Sequence, residues 1–519
     1  MLSLTPFDVR IYCSFLTLIA YLGFLSEPLK AQELANADLD QVIAAQLPAT
    51  LLEHQAFVRL PNDAAFEADM PANIDWLKQA FSKRGFGVKV LETGRIPLVL
   101  AERKSSREDV PTLLFYLHFD GQPVNKAQWD QPDPFEPVLK APLKDGSWQS
   151  LSYDVLKKGS IDPEWRVFAR AAADDKAPII MLLKALDLLK QMDIDPAFHV
   201  KVLLDGEEEK GSKGLLTSLR LYKTFYQADH LIILDGPEHP SRRPTLTFGC
   251  RGIARADVTV YGPKSSQHSG HYGNYAPNPA FRLAQLLASM KDQNGRVMIK
   301  GYYDPVQLSE SVRKDLAAVP DDENTLKNRL GIAEAEAVGG NYQEALQYPS
   351  LNIPQMQTGW GMGQRTVIPD KASARLEMRL VPETKGQYLI DCIRKHIEEQ
   401  GYWVTDSLPT EEERMKYARI ATYGGGTSVE SFRTDPASPM GQWLVRALTT
   451  VHGEEPVQIR IMGGTVPISP LIQALDIPAV IVPLVNMDNN QHAPNENIRI
   501  GNLISGIKSL MGILAISYP

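Results

Sequence analysis

The strongest constraint on the fold is an alternation of strand-like and helix-like segments between about residues 70 and 250. Apolar runs at 112–117 (TLLFYL) and 230–234 (HLIIL) are separated by amphipathic stretches, of which 177–192 is the longest. Strands that alternate with helices of about 10–15 residues pair in parallel, and helices cover both faces of their sheet. We therefore predict an α/β fold built on a mostly parallel sheet.

The pattern changes near residue 250 and returns near residue 436. Segments 254–261 and 372–380 alternate apolar and polar residues, as half-exposed strands do, and a helical segment follows each of them. This predicts a smaller α+β module at 248–430, inserted between two parts of a catalytic domain at 32–247 and 431–519. Within the module, residues about 295–360 are rich in charge, proline and glycine and read as a further insertion.

The N-terminal segment differs from the rest of the chain. Residues 11–25 carry no charged side chain, but they are fewer than the roughly 20 residues that cross a bilayer. A small residue, Ala31, follows at a position suited to cleavage. We predict that residues 1–31 are a signal peptide and that the protein is exported, periplasmic or secreted. An N-terminal membrane anchor is the alternative.

Composition excludes some classes of partner. The net charge is −8 and no basic run is present, which argues against nucleic acid as a partner. Outside the N-terminal segment the cysteines are Cys250 and Cys392, and two distant thiols do not make a disulfide framework. We expect both to be buried thiols.

Metal-ligand side chains follow several of the apolar runs. These are His118 and Asp120, Glu208 and Glu209, Asp235, and His492, with Asp174 just before a helix. Ligands bind open parallel sheets outside the carboxyl ends of the strands. Imidazole and carboxylate without thiolate suit zinc, manganese or cobalt. The sequence therefore predicts a hydrolytic metal centre.

Two of these passages carry more specific chemistry. A metal-bound imidazole needs its other N–H held, and Asp120 can hold that of His118. The pair Glu208-Glu209 offers one carboxylate to a metal and one to take a proton from water.

The motifs together resemble the M20 family of co-catalytic metallopeptidases, which includes carnosine-type dipeptidases, carboxypeptidase G2, aminoacylase 1 and succinyl-diaminopimelate desuccinylases. They run in the family's order and are His118-Phe-Asp120-Gly-Gln122, Arg170 to Pro178 (RAAADDKAP), Glu208-Glu209-Lys-Gly211-Ser212, Asp235, His268-Ser-Gly, Arg379-Leu-Val-Pro, Gly463-Gly464-Thr465 and His492.

The resemblance implies a role for each position. His118 and Asp235 would hold one metal ion, Glu209 and His492 the other, and Asp174 would bridge them. Asp120 would orient His118. Glu208 would be the general base for a hydroxide that bridges the two metals.

The resemblance also implies roles for the inserted module. It would be a ferredoxin-like lid and dimerisation domain, which makes the protein a homodimer. His268 would stabilise the oxyanion, and Arg379 would clamp the substrate carboxylate, with Thr465 and Asn278 assisting.

Some positions stay open or depart from the family. The three glutamates at 207–209 allow a register error of one residue, and His271 competes with His268. Alanines stand at 171 and 177, where family members have glycine, and Ala lacks the easy access of Gly to positive φ. Met462 replaces a common Glu, which leaves substrate preference open.

We therefore predict an exported amide hydrolase with two divalent metal ions, zinc by preference, with manganese or cobalt as alternatives. Its substrates would be dipeptides or the C-terminal residues of short peptides. An N-acyl-amino-acid amidohydrolase of the same family is the first alternative. A non-catalytic binding protein on this scaffold is the second.

Overall fold

The computed structural model describes residues 34, 36–157, 159, 161–358 and 366–519, so the predicted signal peptide, residues 1–31, lies outside the described residues. The described α-helices are α1 Leu39–Val58, α2 Met70–Ser82, α3 Lys176–Gln191, α4 Lys213–Tyr222, α5 Ser269–Tyr272, α6 Pro279–Ala288, α7 Glu310–Ala317, α8 Glu323–Leu330, α9 Tyr342–Ala345, α10 Gly386–Glu399, α11 Glu411–Lys416, α12 Pro439–His452, α13 Ser469–Leu475 and α14 Ile500–Ala515.

The described β-strands are β1 Gly87–Leu91, β2 Leu98–Arg103, β3 Thr112–His118, β4 Val138–Pro142, β5 Trp148–Leu151, β6 Arg166–Phe168, β7 His199–Asp205, β8 His230–Ile233, β9 Thr245–Thr247, β10 Gly249–Cys250, β11 Gly252–Tyr261, β12 Gln267–His268, β13 Ser350–Thr358, β14 Val367–Ile368, β15 Lys371–Leu380, β16 Trp403–Thr405, β17 Ile420–Val429, β18 Phe432–Arg433, β19 Val457–Ile459, β20 Ala479–Ile481 and β21 Asn497–Arg499.

The chain divides into two compact units. The first comprises residues up to Leu246, Thr434–Gln458 and Leu471–Pro519, and the second comprises Thr247–Arg433 and Ile459–Pro470. The second unit therefore contains a short return segment, 459–470, which the sequence assigned to the catalytic domain.

The first unit carries a large sheet with the strand order β1-β2-β7-β3-β8-β20-β9-β19. Strands β7, β3, β8 and β20 pair in parallel, whereas β1 and β2 join the edge in antiparallel fashion. Nearly all of β3 is buried, as expected for a strand that is covered on both faces. The predicted mostly parallel α/β sheet is confirmed.

Register brings the candidate site residues to one end of this sheet. His118, the last residue of β3, pairs with Asp205, the last residue of β7. The neighbouring strand β8 ends at Ile233 and leads directly to Asp235. Because parallel strands end at the same edge, the loops after β3, β7 and β8 meet there.

Helix boundaries in this unit follow local sequence signals. Helix α12 begins after Ser438, whose side chain accepts the backbone N–H of Gly441, and Pro439 occupies the first turn. It ends at His452 and is followed by Gly453, which has a φ of 75°, a left-handed conformation that glycine adopts without penalty. Local sequence signals thus mark both ends of this helix.

The second unit is an α+β module. Its main sheet has the order β13-β15-β11-β17-β16, and helices α6 and α10 pack against it. Strand β15 alternates between buried and more exposed residues, which confirms the predicted period of two. The segment 295–360 is not structureless, because it forms α7, α8 and α9 and ends in the edge strand β13.

No helix in the described part of the chain is long and apolar enough to cross a membrane.

Candidate active site

One group of possible metal ligands lies where β3 and β8 end. Side-chain atoms of His118, Asp175 and Asp235 lie within 4.8 Å of one another. Asp175 also accepts the backbone N–H of His118 through Oδ2 at 3.1 Å, which fixes the end of β3. The sequence predicted His118 and Asp235 as partners, but it gave Asp175, which stands in the same motif as Asp174, no role of its own.

A second group adjoins the first. Asp174, Glu209 and His492 offer ligand atoms within 4.8 Å of one another. Nε2 of His492 lies 3.2 Å from Oδ2 of Asp174 and 3.3 Å from Oε2 of Glu209. The other carboxylate oxygen of Asp174, Oδ1, lies 3.0 Å from Nε2 of His118. Asp174 therefore touches both groups, and the structure brings all five predicted ligands together.

Acidic groups dominate this region, and burial shapes their protonation. Burial raises the pKa of Asp235 to about 6 and that of Glu209 to about 7, and the nearby charge of Asp174 adds to both shifts. Burial also opposes ionisation of Asp174, but hydrogen bonds to His118 and His492 outweigh it and lower its pKa. The hydrogen bond to Asp174 in turn raises the pKa of His492 to about 9.

The donor set fits divalent metal ions. Each group combines one imidazole with two carboxylates and contains no thiolate, a mixture that suits zinc, manganese or cobalt. Buried carboxylates without a counter-charge favour protons, and a bound dication supplies that charge instead. The residues present thus match a pair of adjacent cation sites in their chemistry.

The loop after β7 holds Glu208 and Glu209 through Asp120. The backbone N–H of Glu208 donates to Oδ1 of Asp120 at 3.0 Å, and that of Glu209 donates to Oδ2 at 3.1 Å. Oδ1 of Asp120 also lies 3.4 Å from Nδ1 of His118. Asp120 is fully buried, so one carboxylate fixes both the imidazole and the glutamate loop.

The three consecutive glutamates at 207–209 differ in their contacts. Glu207 is buried and pairs with Nη1 of Arg95 at 2.9 Å, and it accepts the backbone N–H of Gly214. Glu209 belongs to the second ligand group and accepts a hydrogen bond from Nε2 of Gln122 at 2.6 Å. Burial raises the pKa of the partly buried Glu208 well above its usual range. Of these three glutamates, Glu209 is the one that lies in a group of possible metal ligands.

The turn before Asp174 contains Ala171, one of the alanines that stand where family members have glycine. Ala171 has a φ of 59°, which is the left-handed conformation that costs about 1–2 kcal/mol for a residue with a side chain. Two contacts hold this turn. The buried imidazole of His54 lies 2.9 Å from the carbonyl oxygen of Ala172, and Glu496 accepts the backbone N–H of Ala171 at 3.0 Å.

Glu496 is the functional candidate that the sequence missed. It is fully buried and bonds to several groups of the segment that precedes Asp174. The acid four residues after His492 could be read from the sequence. Its hydrogen-bond partners, however, lie more than 300 positions earlier in the chain.

The second unit brings two predicted substrate residues together. Nη1 of Arg379 donates to Oγ1 of Thr465 at 2.9 Å, and that hydroxyl donates to the carbonyl oxygen of Arg251 at 2.7 Å. Arg251, which the sequence did not single out, is buried, and burial lowers the pKa of its guanidinium to about 10.

The remaining candidates of the second unit lie at the surface or at a helix terminus. His268 is exposed, and its ring centroid lies 4.7 Å from that of His271, so the competition between the two stays open. Asn278 caps helix α6 by accepting the backbone N–H of Ala280 at 2.9 Å.

Relatives of this chain are dipeptidases by name. The chain is 26% identical over 454 residues to the Cys-Gly metallodipeptidase dug1 of Schizosaccharomyces pombe, an alignment that covers 82% of this chain and 84% of the relative. It is 27% identical over 423 residues to the Beta-Ala-His dipeptidase of Homo sapiens, with 79% and 76% covered.

Solved structures share the fold. An M20 family metallo-carboxypeptidase from Sulfolobus solfataricus, Sso-CP2, superposes with a TM-score of 0.67 at 26% identity and covers 90% of this chain and 98% of its own. Human carnosine dipeptidase 1 gives a TM-score of 0.66 at 22% identity, with 92% and 98% covered.

The prediction of export, together with its alternative of an N-terminal anchor, is wrong. The fungal Cys-Gly metallodipeptidases that match the chain over most of its length are cytosolic-type enzymes. An apolar segment of 15 residues was too weak a signal to establish export.

The family model described as peptidase family M20/M25/M40 matches residues 114–515, a span that includes both groups of metal ligands and the whole second unit. The chain therefore belongs to peptidase family M20/M25/M40 and is a metallopeptidase.

Proposed function

We propose that the protein is a dipeptidase that works with two divalent metal ions. The observation that carries the proposal is the position of Asp174, whose two carboxylate oxygens lie 3.0 Å from His118 and 3.2 Å from His492, one in each ligand group. His118 and Asp235 would hold one ion, Glu209 and His492 the other, and Asp174 would bridge them. Zinc is the ion we favour, since each group includes an imidazole.

Bound metal ions would lower the pKa of a water molecule and polarise the scissile carbonyl. Glu208 would take a proton from the attacking water and return it to the leaving amine. Burial raises the pKa of Glu208 above its usual range, so its carboxylate holds a proton more readily than an exposed one. Asp120 would keep Glu208 in place through the backbone of the loop.

Dipeptides are the proposed substrates because the relatives are named for Cys-Gly and Beta-Ala-His substrates. Arg379 would bind the free carboxylate, a task suited to a planar guanidinium, and Thr465 would hold the arginine in place. His268 and Asn278 remain proposed contacts to the substrate. We further propose that the second unit acts as a lid and joins two copies into a homodimer, which light scattering of the purified protein tests.

Substrate comparison tests the proposal. The metal-loaded protein is assayed with a panel of dipeptides and with the matching N-acetyl amino acids. We expect turnover of dipeptides to exceed that of the acetylated compounds by at least tenfold. The opposite ratio would identify an N-acyl-amino-acid amidohydrolase. Hydrolysis of neither class would contradict both substrate assignments.

A further inference from the structure

Both side-chain oxygens of Glu496 accept hydrogen bonds from the segment that leads to Asp174. Oε1 accepts the backbone N–H groups of Ala173 at 3.0 Å and of Asp174 at 2.9 Å. Oε2 accepts the backbone N–H of Ala171 at 3.0 Å and a guanidinium hydrogen of Arg170 at 2.6 Å. A carboxylate that accepts several such bonds is held in one orientation and holds its donors in turn.

The same glutamate belongs to the segment that carries His492. Arg170 reaches this segment a second time, because its Nη2 donates to the carbonyl oxygen of Ala493 at 3.3 Å. His492 has a φ of 61° and Asn495 also has a φ of 61°. Residues with side chains keep such conformations only where surrounding contacts fix them. The bonds to Glu496 and Arg170 supply contacts of this kind.

We propose that Glu496 is a positioning residue that holds the segment of Asp174 against the segment of His492, so that both side chains can bind metal. The inference rests on the proposed metal centre. It does not make Glu496 a ligand, because its side-chain oxygens are occupied by backbone and guanidinium donors. Its removal should loosen two ligands that lie on separate segments, and Asp174 is the one shared by both ions.

The test is Glu496→Gln, with metal affinity measured by competition against a chromophoric chelator. The amide nitrogen cannot accept the hydrogen bonds of Ala171 and Arg170, so we expect zinc affinity to fall by about 10- to 100-fold, the range found when groups that orient ligands are changed. Metal content after desalting should fall below that of the unchanged protein. Zinc affinity within twofold of the unchanged protein would overturn the inference.

Glu53→Gln is the matched control. Glu53 is also a largely buried acid in the first unit, and it pairs with Lys83 at 2.9 Å and Arg84 at 3.2 Å, but none of these residues is among the ligands. We expect this variant to lose thermal stability while its zinc affinity stays unchanged. A purely structural role for Glu496 would give the same result in Glu496→Gln.

Arg170→Lys keeps the test decisive if Glu496→Gln does not fold. Lysine retains the positive charge beside Glu496. It lacks the planar guanidinium group, whose two nitrogens bond to Glu496 and to the carbonyl oxygen of Ala493. We expect zinc affinity to fall by about three- to tenfold, and an unchanged affinity would overturn the inference. Failure of the proposed function itself has a different signature, since the unchanged protein and Asp174→Asn would then bind zinc equally weakly.

Discussion

The buried carboxylate of Asp120 accepts the backbone N–H of Glu208 at 3.0 Å, so the proposed base is anchored through its main chain. Replacing Asp120 with Asn puts an amide N–H₂ opposite one of the two loop N–H donors. We expect kcat to fall by about 10- to 100-fold with a parallel loss of zinc affinity. Steady-state kinetics and chelator competition measure both.

Asp145→Asn is the control for that substitution. Asp145 is exposed, and its carboxylate accepts hydrogen bonds from Ser147 in the same turn. Its variant should keep the kinetic constants of the unchanged protein. If Asp120→Asn also kept unchanged kinetic constants, Asp120 would not be needed to position Glu208.

Glu208→Gln separates proton transfer from metal binding. Glu208 belongs to neither ligand group, so the variant should retain two equivalents of metal. Because glutamine cannot take a proton, kcat should fall by about 10²- to 10⁴-fold. Metal analysis and kinetics on one preparation test this. Loss of metal with loss of activity would instead make Glu208 a ligand.

The stability of the metal-free protein should decrease as pH rises from about 5 to 8. Asp235 and Glu209 have folded-state pKa values raised to about 6 and 7, so the folded state holds more protons than the unfolded state in this window. His492, with its pKa raised to about 9, acts in the same direction. Unfolding free energy falls with pH wherever the folded state binds more protons.

Metal ions replace those protons, so removal of metal should matter more at high pH. We expect EDTA to lower the melting temperature more at pH 8 than at pH 5.5. Differential scanning calorimetry at both pH values provides the measurement. An equal shift at both pH values would mean that the raised pKa values are not those of the metal ligands.

Ala171→Gly should stabilise the fold. The left-handed φ of 59° penalises alanine by about 1–2 kcal/mol, and glycine relieves this at an entropic cost of about 0.5–1 kcal/mol. A gain of about 0.5–1 kcal/mol is therefore expected in chemical denaturation. Ala172→Gly is the control, because the φ of Ala172 is not positive, and it should destabilise the protein.

Arg379→Lys should weaken binding of substrates with a free carboxylate. A charge-assisted hydrogen bond contributes about 1.5–3 kcal/mol, so we expect KM for a dipeptide to rise by about 10- to 100-fold. The KM of the corresponding dipeptide amide should change little. Arg375→Lys, on the same strand but exposed and paired with Asp257, should leave both values unchanged. Equal effects on dipeptide and amide would argue against a carboxylate clamp.

Much of the fold was predictable because its signals are local. Solid apolar runs indicated the parallel strands, and alternation indicated β11 and β15. The return segment 459–470 could not be assigned in this way. It belongs to the second unit through contacts such as that of Thr465 with Arg251, which the local pattern does not encode.

Those residues of the candidate site that follow strands or match motifs were predictable from the sequence. His118 and Asp235 each follow a strand, and the structure places them in one group of possible ligands. Asp175 was given no role of its own and Glu496 was missed, because their importance lies in bonds to distant backbone groups rather than in spacing. Sequence patterns indicate which side chains carry chemistry better than which side chains hold them in place.

Crystallography with anomalous scattering at the zinc edge tests the two-metal centre most directly. We predict two peaks in crystals grown with zinc, one contacted by His118 and Asp235 and the other by Glu209 and His492, with Asp174 touching both. A single peak, or peaks that Asp174 does not join, would contradict it.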